Sequence, residues 1–301
     1  MKLRNWLLVM LALIFVIGGY LFFYDPPYRG LISGSHSDPT LIFSHRGFGN
    51  GAPDNSMDGI RLAMEAKMAG VDMDGQQTKD GELVIFHDLS VDRLTNGTGR
   101  VKEKTLAELK QLDLAEKFGK GFRNSFPGTF EEALHLTQGK GILMIELKVP
   151  GAASTGMEEK AVALVQKYKA HEQVFFSSFN PLVLYRLKRL DPQIRTVFIF
   201  LETNWNPALL KEIKAGDLVT LPFFLRNETF RRAIRKFIKP DLLSVNHEVA
   251  TETITHLQQL GYPIFLWTPE SEAEIKNCLK RKPFGVITDE PLLADKLNKE
   301  S

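Results

Sequence analysis

From residue 39 onward, short apolar runs alternate with amphipathic stretches. The runs occupy positions 41–44, 84–86, 142–145, 174–176, 196–200, 242–245, 264–267 and 285–288. Between most of them, apolar residues recur at helical spacing, over 56–69, 105–112, 157–169, 181–190, 251–260 and 272–281. Near-continuous apolar runs of this length are what strands covered on both faces require, and intervening helices make the sheet parallel. About eight such units in about 260 residues predict an α/β fold of the TIM (β/α)8 type rather than an open doubly wound sheet. No Gly-x-Gly-x-x-Gly follows an early strand, which gives little support to nucleotide binding, and no repeat of fixed period is visible.

The N-terminus follows a different pattern. A basic head, Met1 to Asn5, precedes Trp6 to Phe23, eighteen residues without a charge. As a helix this run is roughly 27 Å long, about the hydrocarbon thickness of a bilayer. Trp6, Tyr20 and Tyr24 lie near its two ends, where amphipathic aromatics settle at a membrane interface. A cleaved signal normally has a shorter apolar region and a small-x-small site; here Tyr24-Asp25-Pro26-Pro27-Tyr28 follows. The pattern predicts residues 1–24 as an uncleaved transmembrane signal-anchor, 25–38 as a linker and 39–301 as the barrel domain. Lys2 and Arg4 on the short side predict a cytoplasmic N-terminus with the catalytic domain on the outer side of the membrane.

Composition narrows the function classes. The chain has 301 residues, 44% hydrophobic and 25% charged, which is globular usage and long enough for one large barrel. With 38 basic against 36 acidic residues the net charge is +2, which gives no support to a nucleic-acid partner. Cys278 is the one cysteine, so neither an intrachain disulfide nor a thiolate zinc cluster can form.

The polar residues then fall at strand ends. His45-Arg46 close the first run, Asp72 and Asp74 lie on 71–76, His87-Asp88 end the run 84–86, and Glu146 and Lys148 end the run near 142–147. Strand carboxyl ends of a barrel open on one face, where such folds carry their chemistry. Asp72 and Asp74, two apart, point to one face of a strand, and Glu146 adds a third carboxylate. Three converging carboxylates call for a counter-cation, and oxygen ligands suit a hard divalent ion, Mg²⁺ or Ca²⁺. His45 and His87 titrate in the neutral range and can serve as acid and base, while Arg46 and Lys148 supply fixed positive charge for a phosphate. His36, His135, His171, His247 and His256 read as linker, helix-surface or loop residues. Further on, positions 218–225 are strongly apolar, and Arg226, Arg231, Arg232, Arg235, Lys236 and Lys239 then interleave with Phe230, Ile234, Phe237 and Ile238. Such a basic amphipathic helix is either an outer barrel helix or a surface for anionic lipid.

These motifs together resemble the glycerophosphodiester phosphodiesterase family. The resemblance rests on Ser44-His45-Arg46-Gly47, Ala52-Pro53-Asp54-Asn55-Ser56, Asp72-Met73-Asp74, Thr78-Lys79-Asp80-Gly81 and Phe86-His87-Asp88, in that order. Later pieces agree, including Ile145-Glu146-Leu147-Lys148, Ser177-Ser178-Phe179, Leu266-Trp267-Thr268 and Ile287-Thr288-Asp289-Glu290-Pro291, so that it extends from about residue 41 to 296. It implies a TIM barrel that hydrolyses glycerophosphodiesters to glycerol 3-phosphate and an alcohol with a divalent cation. It assigns His45 and His87 as acid and base, Asp72, Asp74 and Glu146 as metal ligands, Arg46 and Lys148 to the phosphate, and Trp267 as an apolar wall beside the glycerol. A lysophospholipase D acting on membrane lysolipids and a non-catalytic, membrane-tethered phosphodiester-binding module are the alternatives on the same barrel. The chain departs from the family pattern at Asp72 and Asp54, where Glu is usual, at Ser56 in place of Thr, and at Gly75 in place of a β-branched residue.

Overall fold

A computed structural model of the chain describes residues 3–25, 27–28, 30–32, 39–119, 121–122, 125–149, 151–201 and 227–300. Its strands are β1 (Leu41–Ser44), β2 (Gly70–Gln77), β3 (Leu83–Ile85), β4 (Ile142–Leu147), β5 (Val174–Ser178), β6 (Arg195–Phe200), β7 (Leu242–Asn246), β8 (Ile264–Trp267) and β9 (Gly285–Thr288). Each neighbour pair from β4 to β9 is parallel, β1 pairs parallel with both β9 and β2, and β2 with β4, so eight strands close on themselves. The predicted (β/α)8 barrel is present.

One run has a different role from the expected one. The apolar stretch at 84–86 reads in the sequence as one of the eight staves, but β3 pairs antiparallel to β2, with Gly75 opposite Ile85 and Gln77 opposite Leu83. The stave at that place is β2. Because β3 runs back down the upper half of β2, the residues that follow it arrive at the mouth from above, with Phe86 N–H donating to the Asp74 carbonyl at 2.8 Å.

The outer layer holds α2 (Met57–Glu65), α3 (Leu106–Leu109), α4 (Ala115–Phe118), α5 (Phe130–Thr137), α6 (Met157–Tyr168), α7 (Pro181–Leu190), α8 (Glu228–Ile238), α9 (Thr251–Gln259), α10 (Glu272–Lys280) and α11 (Pro291–Lys299). Their start signals are local. Ser56 Oγ accepts from Gly59 N–H, Asn180 caps α7 ahead of Pro181, and Thr129/Glu132 and Ser271/Glu274 form reciprocal capping boxes. Apolar faces of these helices and the outward side chains of the staves make one large core, in which Ile60, Val71, Ile145, Val183, Leu266 and Val286 are fully buried. The barrel interior is a second core of Phe43, Met144, Phe175, Val197, Leu242, Phe265 and Ile287, one residue from each of seven staves. On the eighth, β2, the residue in register with Met144 is Asp72. Seven apolar side chains thus shut the lower barrel, and Asp72 is the polar member of that layer, directly beneath the mouth.

The N-terminal helix α1 spans Leu3–Phe23. Among the described residues no helix is long and apolar enough to cross a membrane, so the expected transmembrane helix is unsupported. The described residues that follow α1 are bonded to the barrel. The Asp25 carboxylate accepts from Arg232 Nε at 3.1 Å and Arg235 at 3.0 Å, with His256 Nε2 at 3.4 Å. Tyr28 donates to the Asp241 carbonyl and Leu31 N–H to the Asp241 carboxylate, while Ile32 packs beneath the inner core. Asp25, Tyr28, Leu31 and Ile32 thus brace the lower rim of the barrel. Positions 33–38, with His36, lie outside the described residues, as does the apolar stretch at 218–225.

The basic segment after that stretch is α8, an outer barrel helix. Arg231 and Arg235 are buried, Arg231 donating to the Leu201 carbonyl and Glu228, Arg235 to Glu228 and Asp25. Its two most buried charges point into the protein and not toward a lipid surface.

Candidate active site

Alternation along each stave decides which side chains reach the mouth. Starting from the inner-core residues and moving two positions toward the carboxyl end, β1 presents His45, β2 Asp74, β4 Glu146, β5 Ser177, β6 Ile199, β7 Ser244, β8 Trp267 and β9 Asp289. One layer higher stand Gln76, Lys148, Phe179, Leu201 and Asn246. The side toward β1, β2, β4 and β9 is polar and charged; the side toward β5, β6 and β8 is apolar, with Phe179, Ile199 and Leu201 packed together against Trp267. His45, Arg46, Asp74, Glu146, Lys148 and Trp267 reach this end from the staves and His87 from the residues after β3, whereas Asp72 lies one layer lower, level with the inner-core Met144.

The two imidazoles are held alike. His45 Nδ1 lies 2.8 Å from Asp289 Oδ1, and His87 Nδ1 2.6 Å from Asp88 Oδ1. Each carboxylate fixes the tautomer with the proton on Nδ1 and leaves Nε2 for a substrate. Asp88 is itself gripped by Arg93 through two bonds, at 2.7 and 2.8 Å, and Gln76 Nε2 donates to the carbonyls of Phe86, His87 and Asp88. The surroundings push the rings apart electrostatically. Burial and the Arg46 guanidinium disfavour the imidazolium of His45, but the Asp289 hydrogen bond and the charges of Asp289 and Asp72 outweigh them and raise its pKa. For His87, burial together with the Lys148 and Arg46 charges outweighs Asp74 and Asp88 and lowers it to about 4.

The carboxylates form a tight group with the cations. Asp74 and Glu146 are register partners on β2 and β4. Lys148 Nζ sits between them, 3.0 Å from Asp74 Oδ1 and 2.9 Å from Glu146 Oε2. Against the penalty of burial, Lys148, His87, Arg46 and an Asn55 hydrogen bond hold Asp74 ionised well below the usual carboxylate range. Glu146 is raised by burial first and then by Asp74 beside it, in spite of Lys148. Arg46 has φ +47, and its guanidinium reaches Asp54 at 3.1 Å and Asp74 at 3.7 Å. The Asp54 that replaces the family Glu therefore still meets Arg46. Gly49 lets this turn approach β9: a Cβ there would lie 2.2 Å from the Asp289 carbonyl oxygen. At Gly75 the space of a β-branched side chain is taken by Ile145, whose Cδ1 would be 3.1 Å from an added Cβ.

Asp72 stands apart. Among the described residues its carboxylate makes no hydrogen bond or ion pair, and burial plus the charges of Asp74 and Glu146 lift its pKa to about 7. Among the described residues no three His, Cys, Asp or Glu side chains are gathered closely enough to hold a metal as they stand. The ammonium of Lys148 takes the position between two of the three expected ligands. The donor chemistry nevertheless fits a hard divalent cation: three carboxylates on one face of two adjacent strands, one of them without a partner among the described residues and crowded by like charge.

Sequence reasoning missed the residues that aim these groups: Asp289, Asp88, Arg93, Asp54, Asn55 and Gln76. For Asp289 the signal was available, since it is two positions beyond the inward-facing Ile287. Ser177 Oγ and Trp267 Nε1 are buried in the mouth with no partner among the described residues. Trp267 contacts both the inner core and the apolar side of the mouth, its ring 6.2 Å from that of Phe179.

Residues 45–293 match the glycerophosphoryl diester phosphodiesterase family. The chain is 31% identical over 256 residues to a glycerophosphodiester phosphodiesterase of Caldanaerobacter subterraneus subsp. tengcongensis, covering 84% of this chain and 95% of the relative. It is 29% identical over 310 residues to a glycerophosphodiester phosphodiesterase of Bacillus subtilis, covering 96% and 98%. Among solved structures, an Oleispira antarctica phosphodiesterase in complex with the product sn-glycerol-3-phosphate superimposes with a TM-score of 0.67 at 22% identity, over 87% of this chain and 98% of that one.

Proposed function

The chain belongs to the glycerophosphoryl diester phosphodiesterase family and hydrolyses glycerophosphodiesters, and from that premise we propose that it forms glycerol 3-phosphate and an alcohol by acid–base catalysis between His45 and His87. The observation that carries this reading is the pair of imidazoles, each pinned through Nδ1 by its own carboxylate, flanking one buried charge cluster. Two titratable groups whose surroundings drive their pKa values apart are suited to opposite roles. His87, neutral above about pH 4, takes a proton from the water whose oxygen forms the new bond to phosphorus. His45, whose proton is retained by Asp289, delivers one to the leaving oxygen. Arg46 and Lys148 face the equatorial phosphate oxygens and offset the charge that builds there. Phe179 and Trp267 line the apolar side and orient the carbon skeleton of the alcohol or glycerol.

Asp72, Asp74 and Glu146 are the residues that would hold a divalent cation, Mg²⁺ or Ca²⁺. When bound, such an ion polarises the phosphoryl group and lowers the pKa of a coordinated hydroxyl. In this reading Lys148 gives up part of its hold on Asp74 and Glu146 to the phosphate.

The same reading places α1 in a bilayer, with the N-terminus cytoplasmic and the barrel on the outer side. Its support is the run of exposed apolar side chains, among them Trp6, Leu8, Leu11, Ile14 and Phe15, which occupy every side of the helix rather than one stripe. Lys2 and Arg4 precede it. Alkaline carbonate extraction of membranes and protease accessibility of the barrel test the anchor and its orientation.

The deciding experiment measures choline and phosphomonoester release from glycerophosphocholine and lysophosphatidylcholine in Mg²⁺, Ca²⁺ or EDTA, with His45→Ala and His87→Ala alongside. Hydrolysis of glycerophosphocholine that needs a cation and drops about 10²–10⁴-fold in each variant is expected. Near-parental turnover in either folded variant refutes the assignment. Preference for lysophosphatidylcholine makes the enzyme a lysophospholipase D, and no turnover of either leaves a binding module.

A further inference from the structure

One buried side chain joins the loop that follows β1 to the carboxylate strand β2. Asn55 is fully buried and its backbone is left-handed, with φ +58. That region is unfavourable for residues with a Cβ, and Asn tolerates it best. Its N–H donates to the Arg46 carbonyl at 2.7 Å, which ties it to the turn carrying His45 and Arg46. Its carboxamide then grips Asp74 twice. Nδ2 donates to Asp74 Oδ2 at 2.9 Å, and Oδ1 accepts from the Asp74 N–H at 2.8 Å. With Lys148 on Oδ1 of the same carboxylate, each oxygen of Asp74 has a donor and the group has one permitted orientation. Asp72, two residues earlier on the same face, has no comparable support from the described residues.

We propose that Asn55 is a positioning residue for the divalent cation: it aims the Asp74 carboxylate and couples that aim to the Arg46 turn. The inference rests on the reading of Asp74 as a cation ligand. Groups that orient a ligating carboxylate contribute about 10–100-fold to metal affinity or activity. A purely structural Asn55 would lower stability and leave the affinity of the folded protein for the ion alone. Cation binding without substrate therefore separates the two accounts.

Asn55→Gly is the informative variant, because Gly adopts a positive φ freely and keeps the N–H to Arg46 while deleting the carboxamide. Mg²⁺ and Ca²⁺ are titrated calorimetrically into the metal-free, detergent-solubilised full chain, with Asp74→Asn as control. The expected result is an affinity about 10–100-fold weaker in Asn55→Gly, with kcat reduced by a similar factor and KM for glycerophosphocholine within about threefold. Asn55→Ser, read in the same way, serves if the glycine variant does not fold. Parental cation affinity in a folded Asn55 variant overturns the proposal, whether or not its turnover is impaired. Parental affinity in Asp74→Asn overturns the cation-ligand reading itself. Loss in Asp74→Asn with parental affinity in Asn55→Gly removes Asn55 alone.

Discussion

Asp74 and Glu146 face each other across the β2–β4 ladder, and the ammonium of Lys148 is within 3.0 Å of both. Like charges opposite each other on adjacent strands repel, and removing one partner of a buried ionic group leaves the other uncompensated, at a cost of about 3–5 kcal/mol. Lys148→Met should therefore lower kcat/KM at least about 100-fold through loss of phosphate stabilisation. It should also make stability depend on divalent cation: Mg²⁺ or Ca²⁺ should restore more of the melting temperature in the variant than in the parent. Thermal melts with and without EDTA check this; an equal response in both proteins would contradict it.

The opposed imidazoles set a pH profile. The free base of His87 exists above about pH 4, and the acid form of His45 persists to above its ordinary value of 6.5. Activity as kcat/KM should rise through an acid limb near pH 4 and fall on an alkaline limb above 6.5. Asp289→Asn removes the hydrogen-bonded carboxylate that retains the His45 proton, so the alkaline limb should move down by about one unit or more. An unmoved limb would mean that another group sets it.

How much of this was legible in the sequence depended on whether the controlling interaction was local. The staves were readable because burial on both faces demands an apolar run, as at Leu41–Ser44 and Gly285–Thr288. The same apolar signal misassigned Leu83–Ile85, since hydrophobicity does not distinguish a parallel stave from an antiparallel flap. Chemically distinctive residues such as His45 and Asp74 stood out at strand ends. Their partners did not: Asn55 and Asp289 resemble ordinary turn residues until the fold brings them 19 and 244 positions across the chain. The burial of Arg235 on α8 was hidden for the same reason, because it meets Asp25 over 210 positions.

Asp72 offers a test at the level of stability. Its carboxyl is lifted from 3.8 to about 7, by burial first and then by Asp74 and Glu146. Between those values the folded chain holds a proton that the unfolded chain has released, so this group's contribution to stability falls as pH rises through the window. Asp72→Asn cannot lose that proton. In EDTA its melting temperature should equal the parent's near pH 4 and exceed it by a few degrees at pH 8, about 2–4 °C per kcal/mol relieved. In saturating Mg²⁺ or Ca²⁺ the order should reverse if Asp72 is a ligand. A difference that does not vary with pH would show that Asp72 carries no such strain.

The clamp between Asp25 and α8 predicts a different phenotype, in stability without chemistry. Arg235 is buried between Asp25 and Glu228, with bonds of 3.0 and 2.7 Å, and its own Nε and NH1 lack partners among the described residues. The ion pair is thus an imperfect one, shared with Arg232 on Asp25 and with Arg231 on Glu228, and the buried guanidinium is its central cation. Arg235→Ala should cost about 3–5 kcal/mol, or roughly 10 °C in melting temperature. Asp25→Asn keeps the shape and one acceptor, so it should cost less. Neither residue approaches the mouth: Asp25 precedes the segment that braces the lower rim, at Asp241 before β7 and beneath Phe43 and Phe265. Both variants should therefore keep parental kcat and KM toward glycerophosphocholine at temperatures where they remain folded. Thermal melts paired with steady-state kinetics decide it, and a fall in kcat without a fall in melting temperature would place the N-terminal segment in the catalytic cycle instead of in the scaffold.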